Sequence, residues 1–467
     1  MRLDLRRRGA ALVLGLVMSG CAQWSGVHGP PPARPAPPVP AAWPGHIDPQ
    51  AARPPADWRA LYTDPRLKAL IERALDHNRD LAAAYARIEE ARALVRRVDA
   101  ARVPDLDLAA SAAYRRQERD VSRQYELALQ APAFELDLWG RIRAADAAAR
   151  ARLLASEEAA RTLTLALITE VAETYLTTLE LAERVRLTAS TLDTREQLRD
   201  LIARRRAAGL ASELDLLQAL GAVEQARTDL AGLRRQLALA ENALALLTGY
   251  ADGPLPPGQG LDGQGLVLEV PAGLPSELLL ARPDVRAAEA RLAAAEADVA
   301  GARAAFFPSI TLTAALGLAS HALSGLFEAT SGKWLLQPAV KLPLIDGGLR
   351  AADVDAAEAR RRQALAEYER TVQQAFREVA DLLTARGRLM EQLAALQTQL
   401  RTQAERLRLA ELRHRAGLTS YLEVLDAQRE RYNAEQGVVQ LTRALLSNTV
   451  RLYQALGGGL TTDTRSG

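Results

Sequence analysis

Covalent chemistry in this chain would have to run through few side chains. The 467 residues include five histidines (His28, His46, His77, His321 and His414) and one cysteine, Cys21. The histidines are scattered, and none has a partner at metal-ligand spacing. One cysteine can form neither an internal disulfide nor a paired thiolate site. The sequence has no phosphate loop and no GxSxG, HExxH or CxxC pattern. No enzymatic activity, metal or cofactor is therefore expected. What remains is electrostatic, and it gathers beside two near-identical stretches, "RRAAGLASELDLL" at 205–217 and "RHRAGLTSYLEVL" at 413–425. Gly209, Leu210 and Ser212 in the first answer to Gly417, Leu418 and Ser420 in the second, 208 residues on. Asp215 follows the first corner. Glu423 and Asp426 follow the second, three residues apart and so on one face of a helix.

The corners themselves need no chemistry. Glycine takes the positive φ that ends a helix, and serine at the next N-cap accepts from the following turn. Capping explains Gly209, Gly417, Ser212 and Ser420 in full; it explains the acids less well.

Each corner closes a helical run without a proline, 141–207 and 349–416. The first would be roughly 100 Å long at 1.5 Å per residue. Ile168, Ala172, Tyr175, Leu179 and Ala182 recur at heptad spacing, as do Leu230, Leu233, Leu237, Ala240, Leu244 and Leu247. Such seams specify helices packed side by side at small crossing angles.

Ahead of each long helix lies a strand pair. Leu106, Leu108, Ala110, Ala112 and Tyr114 alternate onto one face, and Ile310, Leu312, Ala314, Leu316 and Leu318 do so in the second copy. Asp105, Asp107, Ser111, Ser309, Thr311 and Thr313 would then share a wet face. The second strand alternates through Tyr125, Leu127 and Leu129, then switches phase after Pro132 to Phe134, Leu136 and Leu138. Pro338 holds the matching place. A proline inside a strand marks a bulge or an edge. The element order repeats because the chain is a duplication. Asp80/Asp284, Arg87/Arg291 and Pro104/Pro308 are 204 apart, and Gly249/Gly457 are 208 apart. The expected divisions are a first repeat at 57–249 (strands about 104–138), a Gly/Pro-rich linker at 250–275, a second repeat at 276–457 (strands about 308–345), and a short tail at 458–467.

The amino terminus supplies the compartment. Arg2 and Arg6–Arg8 precede an apolar run too short to span a bilayer, which reads as a secretory signal over 1–20. "VMSGC" resembles a bacterial lipobox, making Cys21 a lipidation site, with N-acyl and S-diacylglycerol groups as its covalent modification. A Pro-rich tether then runs over 21–56. Ala22 after the cysteine resembles the sorting pattern of outer-membrane lipoproteins. Net charge is only +2, which indicates no nucleic-acid partner.

Four strands cannot close a barrel with an interior, and an open edge is not tolerated in lipid. If these strands cross a membrane, several chains must pool them; three chains would give about twelve strands. Periodicity alone fits equally a soluble antiparallel sheet beside a coiled coil.

Taken together, the lipobox, the two halves, the strand pairs with prolineless helices and the "AGL-x-S" corners resemble the TolC-like outer-membrane factors, in particular their lipoprotein (NodT-type efflux) branch. The resemblance runs from Cys21 to Gly457. It implies a mainly α fold with membrane β, built as a homotrimer with a twelve-stranded β-barrel continuing into a periplasmic α-helical barrel. It implies an efflux conduit whose corners meet a periplasmic adaptor (a membrane fusion protein) joined to an inner-membrane pump. Carried over residue by residue, Gly209, Leu210, Ser212, Gly417, Leu418 and Ser420 would be docking tips. Glu423 and Asp426 would line a closed periplasmic mouth, latched by Asp215 and His414. Three copies of each acid about one axis would raise one another's pKa and attract cations. The rival reading is a lipid-anchored periplasmic adaptor or structural coiled-coil protein. An adaptor would show one hairpin flanked by small β domains rather than two equivalent ones.

Overall fold

The computed structural model describes residue 39 and residues 57–117, 120–250, 252–266 and 276–458. Cys21, the export segment, nearly all of the tether and the last nine residues lie outside the described residues, and the lipidation expectation lies there with them. Helices α1 (Trp58–Leu61), α2 (Pro65–His77) and α3 (Arg79–Ala100) precede the first strand pair, and α6 (Pro283–Ala304) precedes the second. Two compact units are formed. One gathers Arg87–Glu157 with Ala287–Arg370; the other gathers Glu158–Arg286, the stretch from Thr371 onward and the helices before Arg87.

The first unit holds a four-stranded antiparallel sheet in the order β1 (Asp107–Gln117), β2 (Asp120–Glu135), β3 (Ser309–Ser320), β4 (Gly332–Lys341). Leu108 pairs with Leu129, Leu129 with Leu316, and Leu316 with Trp334, so one cross-strand row is wholly apolar. That row faces outward, with Leu108, Leu316 and Trp334 exposed at 73%, 68% and 76%. The opposite face carries Asp107, Ser111, Glu126 and Lys333, the last two ion-paired at 2.8 Å. A water-soluble sheet would hide the apolar face; this one hides neither.

The two strand prolines behave differently. At Pro132 the register shifts between Ala131 and Phe134, and Ala133 takes a φ of 35°. Its N–H, freed from the ladder, donates to Thr313 Oγ1 at 3.2 Å. Leu129, Ala131 and Phe134 consequently share a face, which is the expected phase flip. Pro338 lies opposite Leu312 with no shift, in a strand that is an edge of the four within the chain.

Next to the sheet Trp139 stacks on Phe307 at 5.0 Å and donates to the Pro308 carbonyl at 2.7 Å. Asp137 then accepts from the backbone N–H groups of Ile142 and Arg143, starting the 67-residue helix α4 (Arg141–Ala207). Its duplicate, Asp346, accepts from Gly348 and Arg350 at the start of α7 (Leu349–Arg415), also 67 residues.

The second unit packs α4 and α7 with the return helices α5 (Glu213–Leu247) and α8 (Tyr421–Ala455). On α5 the buried residues Ala219, Val223, Ala226, Leu230 and Leu233 run at heptad spacing. On α4 the seam holds at Ile168, Ala172 and Tyr175, but Ala182 is exposed and Leu181 is buried instead. Among the described residues no helix is long and apolar enough to cross a membrane.

The stretch between the repeats is fastened to the first helices. Asp64, fully buried at the N-cap of a helix over Pro65–His77, accepts from Arg66 N, Tyr175 Oη, Gln259 N and Gln264 Nε2, all within 3.0 Å. Arg66 and Arg73 donate to the carbonyls of Pro256 and Pro254. Residues 252–266 thus form a strap across the helices. Burial alone would push the Asp64 carboxyl up, but its four donors hold it below the ordinary carboxylate value.

Candidate gate at the paired helical corners

Both helix ends close in the same way. The amide of Gly209 donates to Arg206 O at 2.9 Å and that of Leu210 to Arg205 O at 2.8 Å. The amide of Gly417 donates to His414 O at 3.0 Å and that of Leu418 to Arg413 O at 2.9 Å. These are the two bonds of a Schellman motif, with φ of +75° at Gly209 and +72° at Gly417. The next residue in each is a leucine facing solvent, Leu210 at 78% exposure and Leu418 at 71%. Neither leucine is covered by the rest of the chain.

Behind the leucines the corners share one apolar cluster. Ile202 of α4, Ala219 of α5, Leu407 and Ala410 of α7, and Tyr421, Val424 and Ala427 of α8 are all buried together. The tips of the two repeats therefore pack against one another. Tyr421 is central to it, and burial pushes its hydroxyl pKa up to about 12.

The polar groups differ between corners. At the first, Ser212 accepts from the Asp215 amide at 3.1 Å, while the Asp215 carboxylate accepts from the Ser212 amide at 3.1 Å and hydroxyl at 2.7 Å. This is a capping box with aspartate in the third position. The two Ser212 bonds, helped by the charge of His414, hold the Asp215 carboxyl below its ordinary value. The expected rise from like charges is thus opposed within each chain. The second corner departs from expectation. Ser420 stands at the N-cap with extended backbone, yet its hydroxyl makes no capping bond. Glu423 at the third position leans instead to Arg413, 3.7 Å away. His414 Nδ1 donates to the Thr419 carbonyl at 3.1 Å, and its ring lies 5.9 Å from that of Tyr421.

Asp426 is bridged by Arg406 and Arg429, each at 2.6 Å. None of the four candidate gate residues stands bare. Sequence reasoning does not single out these arginines. Arg413 sits in the corner stretch itself, and Arg429 is one helical turn from Asp426, a spacing that could flag it. Arg406 reaches across from α7 and leaves no local signal. The pairs are partly exposed, so each is worth at most about 1 kcal/mol, little enough to be exchanged for another partner.

Comparison with known proteins places this geometry. The model of the outer membrane efflux protein family matches residues 70–250 and 274–458, one match per repeat. Outer membrane protein OprJ of Pseudomonas aeruginosa is 41% identical over 464 residues, covering 96% of this chain and 95% of OprJ. The toluene efflux pump outer membrane protein TtgF of Pseudomonas putida is 39% identical over 468 residues, covering 96% of each. The open-state structure of the Neisseria gonorrhoeae MtrE outer membrane channel superposes with a TM-score of 0.85 at 35% identity, covering 94% of this chain and 99% of MtrE. The fold is that of the outer-membrane efflux channels. The chain belongs to the outer membrane efflux protein family, and it is the outer-membrane channel component of an efflux system in a Gram-negative cell.

Proposed function

We propose that the chain works as a homotrimeric, passive conduit for small molecules, closed at its periplasmic end by the helical corners and opened when a periplasmic adaptor docks there. The observation that carries this is the tip itself: two equivalent Schellman corners share one core and expose Leu210 and Leu418, with Asp215, His414, Glu423 and Asp426 alongside. The leucines, with Gly209, Ser212, Gly417 and Ser420, are the docking surface for the adaptor that joins the channel to an inner-membrane pump. Glu423 and Asp426, latched by Asp215 and His414, narrow the mouth. The sheet supports the trimer, because among the described residues β1 and β4 each leave an edge without a strand partner. In hydrocarbon every unpaired backbone group costs several kcal/mol, so three copies joining β4 to the next β1 remove the cost and enclose a lumen. Cys21, carrying N-acyl and S-diacylglycerol groups, anchors each copy in outer-membrane lipid. The conduit uses no cofactor and carries out no reaction.

Planar-bilayer recording tests the gate. Glu423→Ala with Asp426→Ala raises single-channel conductance severalfold, whereas Asp215→Ala alone, whose carboxylate is spent on its own box, raises it less. Unchanged conductance in the double variant removes these acids from the gate. Migration as a soluble monomer rather than a membrane-extracted trimer would instead favour a periplasmic structural role.

A further inference from the structure

Away from the corners, α8 is tied to α4 by a ladder of polar contacts that the proposed gate does not use. Arg451 Nη2 donates to Glu173 Oε2 at 3.1 Å. Arg443 Nε is paired with Glu180 Oε2 at 2.6 Å, and Arg184 Nη1 donates to Glu180 Oε1 at 3.1 Å. Arg184 Nε then donates to Gln436 Oε1 at 2.7 Å, and the hydroxyls of Thr188 and Tyr432 share a bond at 2.8 Å. Glu180, Gln436 and Thr188 are 6%, 8% and 1% exposed. Sliding or tilting α8 against α4 here would strand a buried carboxylate and two buried polar groups.

Between Tyr432 and the corner the character of the contact changes. There Tyr421, Val424 and Ala427 of α8 meet the first repeat through the apolar cluster, packing with Ile202 of α4 and Ala219 of α5. Over the same stretch α8 is ion-paired to α7, through Asp426–Arg406 and Glu423–Arg413, so those two helices form one arm.

The first repeat cannot copy the ladder. At the same 208-residue offset, Glu180 and Arg443 correspond to Arg388 and Arg235, two like charges, and Thr188 and Tyr432 correspond to Leu396 and Glu224.

We infer that the ladder from Glu173–Arg451 to Thr188–Tyr432 is the fixed end of the gate, and that Thr188–Tyr432 is the fulcrum about which the tip arm of α7 and α8 moves. This rests on the corners being the gate. The arm beyond Tyr432, eleven residues of α8, is about 16 Å long, so opening is confined to the tip and the remainder of α8 keeps its register.

Amide hydrogen exchange on the full-length lipidated channel in nanodiscs tests the fulcrum independently of conduction. In the unaltered protein, α8 amides from Val424 to Arg431 exchange about tenfold faster than those from Asn433 to Arg443. Thr188→Val with Tyr432→Phe exchanges one hydroxyl for a methyl and deletes the other. It moves the boundary up to the Gln436–Arg184 rung, so that Asn433–Glu435 also exchange about tenfold faster. Tyr432→Phe alone gives a smaller shift in the same direction. A boundary that stays at Tyr432 in both variants, or the absence of any boundary in the unaltered protein, overturns the fulcrum. The gate is judged separately by the conductance of the Glu423→Ala, Asp426→Ala variant. If the boundary moves while that conductance does not change, the fulcrum stands and the assignment of these acids to the gate falls.

Discussion

The two corners share a backbone and differ in where they spend their charge. In the first, Ser212 and Asp215 close on each other, and the corner satisfies itself within four residues. In the second, the serine caps nothing, and the acids reach outward to Arg413, Arg406 and Arg429 on two helices. Gene duplication supplied the same turn twice; divergence turned one into a self-contained hinge cap and left the other dependent on its neighbours. A self-contained cap keeps its shape whatever moves around it. A cap made of weak, partly exposed ion pairs can change partners, and this is the quality a moving mouth requires.

Three perturbations sharpen or break that contrast. The largest effect should be the same in both corners. Gly209→Ala and Gly417→Ala each force a side chain into positive φ with nothing within 4 Å of the added carbon, so each costs about 1 kcal/mol from backbone strain alone. Denaturant unfolding of the detergent-solubilised protein measures this; clearly unequal costs would mean that the two turns are not equivalent after all. Serine replacement should separate the corners. Ser212→Ala loses a capping bond and costs about 1 kcal/mol, while Ser420→Ala stays within about 0.5 kcal/mol of zero. Equal losses would erase the distinction between a used cap and an unused one.

The smallest effect is on pH. The folded Asp215 carboxyl titrates below its ordinary value, so its contribution to the first corner is complete above about pH 4 and is lost as pH falls through the depressed folded value. Amide exchange at Ser212 and Asp215 should therefore quicken in acid in excess of the intrinsic pH trend. Asp215→Asn removes that excess; if it persists in the variant, another group is responsible.

How much of this is legible in the residues alone follows the range of the interaction. The Schellman glycines, the bulge at Pro132 and the heptad seams are local, each decided within a turn of helix or a few strand residues, and the sequence carries them openly. Ser420 departs from its expected role because a good N-cap residue is only an opportunity. Whether it is used depends on Glu423, one methylene longer than the aspartate of the first box and within reach of Arg413. The bridge from Arg406 to Asp426 crosses between helices, and no spacing announces such a pair. Leu181 replaces Ala182 in the seam of α4 because that helix answers to more than one partner. Its Tyr175 meets Asp64 and its Arg184 meets Gln436, so a single heptad register does not decide what the face covers.

The strap has a consequence of its own for how this chain can be built. Glycine and proline between two repeats look like the natural place to cut, insert a tag or permute the chain. Here a single carboxylate oxygen, Asp64 Oδ2, gathers donors from a residue 111 positions on and from two others roughly 200 positions on. The apparent seam of the duplicated gene is therefore a clasp on the first helices. A chain severed within 252–266 would loosen the hold of Gln259 and Gln264 on the buried Asp64 carboxylate.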